Sequence, residues 1–127
     1  MAQEHQILDW SLPAAGDLST KQFYPVTLRS DGKISTISAT TTAAVGILQD
    51  DPDAAGRACA VRLEGVSKMI VRGDVAPIYP GYRLGINSDG LGIFTTTANQ
   101  EIVATALEQS TAAGDIISVL VTPSVRF

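Results

Sequence analysis

The sequence predicts a single, mostly-β domain with an extended N-terminal arm, either a small barrel or roll or a sandwich-like fold. Three observations carry this expectation. At 127 residues with a hydrophobic fraction of 45%, the chain has material for one core and no second domain. Its apolar residues fall in short runs rich in β-branched and aromatic side chains, and these runs are separated by glycine turns. Helical spacing occurs only between Thr96 and Gln109, where Ala98, Ile102, Ala106 and Gln109 recur at rough intervals.

Residues 1–15 read as the arm and residues 16–127 as the β-domain. The arm holds the only Trp and the only His, with Ile7, Leu8, Trp10 and Leu12 as an apolar set that has no evident partner strand. Pro13 and the run Ala14-Ala15-Gly16-Asp17 then punctuate the chain. Phe23 to Leu28 is aromatic and β-branched, and Asp31-Gly32 is a hairpin turn signal that predicts Lys33 to Ile37 as the return strand. Residues 38–45 are small and β-prone without periodicity. Ala58 to Glu64 alternates, placing Cys59, Val61 and Leu63 on one face against Arg62 and Glu64 on the other. Gly65 is expected to separate that strand from a second one, Val66 to Arg72. Ser88-Asp89-Gly90 predicts another hairpin, between Tyr82–Ile86 and Leu91–Phe94. Ile102 to Leu107 reads as a strand, preceded by a short helical turn near Thr97 to Gln100. The last strand, Asp115 to Thr122, is nearly all apolar, which predicts burial on both of its faces. The expected core comprises Cys59, Val61, Leu63, Ile70, Ile117, Val119 and Val121.

An internal echo ties these elements together. Ala54-Ala55-Gly56 and Ala112-Ala113-Gly114 each precede a strand, and Ala14-Ala15-Gly16-Asp17 repeats the letters of Ala112-Ala113-Gly114-Asp115. Glycine supplies the positive φ that a sharp entry into a strand often needs. The spacing is too uneven for a solenoid and fits strand–turn–strand units within one β-domain.

Charge excludes several classes. Nine Lys and Arg against thirteen Asp and Glu give a net charge of −4, and the cations are scattered singly, so no nucleic-acid groove is expected. No apolar run approaches the roughly 18 residues of a membrane span, and the first six residues lack the pattern of a signal peptide, so synthesis in the cytoplasm is expected. The charged fraction is only 17%, and twelve Thr and ten Ser supply much of the polar surface, as suits a protein living in an assembly. The single cysteine, Cys59, allows no internal disulfide and reads as a small buried hydrophobe.

Catalytic and ligand-binding constellations are not expected. His5 sits in the arm, where a general base would lack rigid positioning. Asp50-Asp51-Pro52-Asp53 lacks the spacing of a calcium loop and reads as a solvated turn. Gly85, Gly90 and Gly92 do not form a phosphate-cradling motif, and Arg72-Gly73-Asp74 reads as a turn. A carrier domain of the lipoyl or biotinyl kind is the rival class, with Lys68 as the residue to be modified. Lys68 lies within an apolar strand run, whereas such a lysine belongs at an exposed turn tip.

The run Val45-Gly46-Ile47-Leu48, the acidic loop, Ala54-Ala55-Gly56 and Val61-Arg62-Leu63-Glu64-Gly65-Val66 resembles the capsid cement, or head-decoration, proteins of tailed bacteriophages. Gly73-Asp74-Val75, Pro80-Gly81, Ser88-Asp89-Gly90 and the closing Ala104 to Leu120 segment continue the resemblance, which covers roughly residues 14–123. It implies a small β-rich protein that assembles, often as a trimer and with a homotrimer as the expected state, on the outer capsid surface of the virion. There it binds the phage major capsid protein, bridges neighbouring subunits and stabilises the shell. It implies no catalytic residue, cofactor, metal, small-molecule substrate, nucleic acid or membrane. The arm residues Ile7, Leu8, Trp10 and Leu12 have no match in that pattern. Their apolar payload makes them the expected interface with the capsid or a neighbouring subunit, with packing back on the chain's own domain as the alternative.

Overall fold

A computed structural model describes residues 2, 5–96 and 100–126, with side chains described at 2, 8–96 and 100–121. Nine strands and no helix occur among these residues: β1 (His5–Pro13), β2 (Pro25–Leu28), β3 (Ile34–Thr36), β4 (Gly46–Leu48), β5 (Ala58–Arg72), β6 (Arg83–Ile86), β7 (Gly92–Phe94), β8 (Glu101–Ala106) and β9 (Ala113–Arg126). The expected strand over Ile102 to Leu107 is β8; of the helical turn near Thr97, residues 97–99 lie outside the described residues.

The long strand β5 organises everything else. Its second half pairs with β9 in antiparallel register, Ser67 against Val119 and Met69 against Ile117. The order β5-β7-β6-β8-β9, closed by the β9–β5 pairing, makes a five-stranded barrel. Its interior is filled by Met69 and Val71 of β5, Leu84 and Ile86 of β6, Val103, Ala104 and Ala106 of β8, and Ile117, Val119 and Val121 of β9, all buried. The first half of β5 carries a wing, in which β4 joins the β2–β3 hairpin to β5 and β1 pairs with β5 separately. Beneath the wing a second cluster gathers Ala14, Leu18, Val26, Ile34, Leu48, Cys59 and Val61. One strand thus feeds two cores, which explains its length of 15 residues.

Both predicted hairpins form. Gly32 closes the β2–β3 turn, where Arg29 N donates to Lys33 O. Between β6 and β7, Asn87 Oδ1 accepts from Asp89 N and Leu91 N, so a side chain caps the turn that Gly90 completes. Gly56 and Gly114 both adopt positive φ, as the echo requires; Gly16 does not, so its resemblance is one of letters only.

Three expectations are corrected. Gly65 does not divide two strands: at φ +113 it lies inside β5, where a left-handed residue bends the strand without ending it. Leu63 and Ile70 are half-buried, while Arg62 is buried, because the pairing of β1 against β5 covers the side of Arg62. The segment before Pro13 has a strand partner after all, 53 residues distant at Asp9 and Arg62. Such non-local pairing leaves no local signature.

The β4–β5 contact is close enough to need glycine. A Cβ at Gly46 would strike the carbonyl oxygen of Arg62 and come within 2.9 Å of Val61 Cγ1. Gly46→Ala is therefore expected to cost about 1–3 kcal/mol in chemical denaturation, since the neighbour is backbone and cannot swing aside.

Candidate docking surface

The strand alternation that fills the barrel leaves the other face of β5 and β9 partly exposed, with Ile116 and Leu120 in water, Val66, Lys68 and Ile70 half-buried and Ser118 buried. Cross-strand pairs on that face are Val66 with Leu120, Lys68 with Ser118 and Ile70 with Ile116. Ile116 is 47% exposed and Leu120 40%, so the expected burial of β9 on both faces is corrected. The physical reason is the absence of a second layer among the described residues: neither helix nor sheet lies over the barrel wall. Leu107, just beyond β8, is exposed as well, and its amide donates to Ser118 O. Sequence reasoning missed this apolar face, although a strand apolar on both sides in so short a helix-poor chain was the available signal.

Phe23 borders the same face under backbone strain. Its φ of +67 is one that bulky L-residues rarely adopt. Two hydrogen bonds lock it there: Phe23 N donates to Leu48 O, and Ile70 N donates to Phe23 O. Its ring then lies 5.6 Å from the Lys68 ammonium. Lys68 is mid-strand and half-buried, a poor position for an enzyme that must grasp and modify it.

The arm residues form a second exposed set. Trp10 is 59% exposed although it stands opposite buried Val61, because β1 is an edge strand that pairs only with β5 among the described residues. Leu8 is 40% exposed, whereas Leu12 packs half-buried against the wing cluster. The Ile7 side chain lies outside the described residues. Of the four expected interface residues, Leu8 and Trp10 therefore present apolar surface to solvent.

Of the remaining sequence candidates, the His5 side chain lies outside the described residues and the following make structural contacts. Asp50 Oδ2 accepts from Ala60 N at 2.7 Å, and Asp53 pairs with Arg57 at 3.1 Å. Within the tripeptide at the end of β5, Arg72 Nε lies 3.0 Å from Asp74 Oδ1, a contact that holds the Asp74 carboxyl below its ordinary pKa. Cys59 is buried with its thiol 3.2 Å from Leu12 O, and burial pushes its pKa up. A depression of about 200 Å³ lies between Arg72, Val75, Ala76, Asn87, Ile93 and Phe94. That is below the roughly 300 Å³ at which ligand pockets begin.

No family model matches the chain, and no curated protein sequence matches it. Among solved structures, the chain is similar to the N base of the head fiber gp8.5 of bacteriophage phi29, with a TM-score of 0.61 and 16% identity. The match spans 91% of this chain and 93% of that one, so barrel and wing together share the fold of a phage head fiber base.

Proposed function

We propose that the chain is a structural protein of a phage head that docks on the outside of the capsid, bridges neighbouring major capsid subunits and stabilises the shell. The observation that carries this reading is the fold shared, over nearly the whole of both chains, with the base of a phage head fiber. The ordered glycine-turn motifs point the same way, as does the weakly charged exterior. Two apolar faces that a monomer leaves wet, at Trp10 and at Ile116–Leu120, give it surfaces to bury.

The mechanism is mechanical. Each copy adds interface whose apolar part contributes roughly 25 cal/mol per Å², before the cost of association. Repetition around a closed shell multiplies that gain and raises resistance to heat and internal pressure. The chain acts as a homotrimer on the particle, without enzyme activity, cofactor or bound nucleic acid.

Analytical ultracentrifugation of the free protein, with imaging of decorated heads, tests the assembly state. Trimers in either setting support the reading, and copies spaced singly on the shell contradict it. Heads carrying the protein should also lose their contents at a higher temperature than bare heads.

A further inference from the structure

We propose that β1 is a releasable strap that opens from β5 about a hinge at Pro13 while the barrel stays closed, baring Cys59 and the β5 edge from Ala58 to Val66. Nothing in the opening depends on what the chain binds.

The hinge position follows from where the chain becomes anchored. Ala14 is fully buried, its amide donates to Arg57 O at 2.8 Å, and its carbonyl accepts from Gly56 N at 2.8 Å. Ala15 N donates to Ile34 O at 2.8 Å, so the domain holds the chain from residue 14 onward. Before that point β1 pairs with β5 alone among the described residues. Of its described apolar side chains only Leu12 joins a core cluster, and Leu8 and Trp10 are already largely in water. Peeling β1 away therefore gives up little apolar burial from the strap itself, and its main-chain bonds are exchanged for bonds to water.

One ion pair latches the strap. Arg62 Nε and Nη2 lie 2.8 and 3.1 Å from the two carboxylate oxygens of Asp9, while Arg62 Nη1 donates to Val66 O at 3.0 Å. The pair is forked and largely shielded from solvent, which makes it stronger than an exposed bridge. After opening, Arg62 keeps the Val66 carbonyl and gains water. Cys59 stands opposite Leu12 in the β1–β5 register, with its thiol against the Leu12 carbonyl, so the strap closes one side of it while the wing cluster packs the other. The half of β5 that closes the barrel, Ser67 to Val71, is instead zipped to β9 and buried from within.

The test follows Cys59 labelling by a thiol reagent in the full-length folded protein, alongside amide hydrogen exchange at Val45 and Leu48 in the wing and at Met69 and Val119 in the barrel. The opening constant read from Cys59 should exceed that read from the barrel amides by at least a hundredfold and should also exceed that of the wing amides. Asp9→Asn should raise the Cys59 opening constant tenfold or more and leave the barrel amides unchanged. If Cys59 opens no more often than the wing or the barrel amides, only wing opening or global unfolding exposes it and the strap is refuted. If Asp9→Asn shifts thiol and barrel amides alike, the ion pair belongs to the whole fold and the latch is refuted.

Discussion

Met69→Ala is expected to lower the free energy of unfolding by about 2–5 kcal/mol, the usual range for emptying a large apolar site in a packed core. Met69 is fully buried where β5 faces the barrel interior, opposite Ile117 on β9. Its Cε would lie 2.5 Å from a Cβ built on Gly92, so the thioether occupies space that a side chain on β7 would otherwise need. Backbone pairing of β5 with both β7 and β9 limits how far that site can collapse. Val119→Ala, on the same interior surface, should cost about 1–4 kcal/mol. Ile116→Ala and Leu120→Ala should cost about 1 kcal/mol or less in the isolated chain, because those side chains are already half in water. Urea titration of the four variants separates inside from outside on one strand. Equal losses at Val119 and Leu120 would contradict the assignment of faces.

Deleting residues 2–13 should leave the barrel folded, with circular dichroism nearly unchanged, while weakening self-association or capsid binding tenfold or more. The deletion removes β1, an edge strand, and none of the side chains that fill the barrel. It also removes Leu8 and Trp10, the exposed apolar residues of the wing edge. Trp10→Ala should reproduce much of the loss, about 2 kcal/mol if the indole anchors an interface. Binding isotherms of wild type and both variants, set beside their denaturation curves, give the answer. An unfolded deletion variant, or undiminished assembly by both variants, would show that the arm serves the domain alone.

The parts of this fold that were legible in the sequence are those encoded within a few residues. Asp31-Gly32 and Ser88-Asp89-Gly90 announce their hairpins because a tight turn needs small residues in fixed places. The alternation of Cys59 and Val61 and of Ile117, Val119 and Val121 shows its buried face for the same reason. What stayed hidden depends on distant pairing. Nothing near Leu8 or Trp10 announces that β5, some fifty residues on, supplies the partner strand. Gly65 reads as a break because its local preference is a turn, yet β1 and β9 both pair through it and hold the strand together. The outward apolar face fails differently. Periodicity reports which residues are apolar, but whether a second layer covers them is a property of the whole architecture. The arm is legible as an apolar payload and not as a strand, and the structure leaves its Trp10 exposed.

The proposed role on a phage head is open to a binding experiment, in which the purified protein is mixed with undecorated heads built from the cognate major capsid protein and the particles are sedimented. Saturable co-sedimentation at a fixed ratio of chain to capsid subunit is expected, reduced tenfold or more by Trp10→Ala. Protein that stays in the supernatant at micromolar concentrations, with the heads intact, would contradict it.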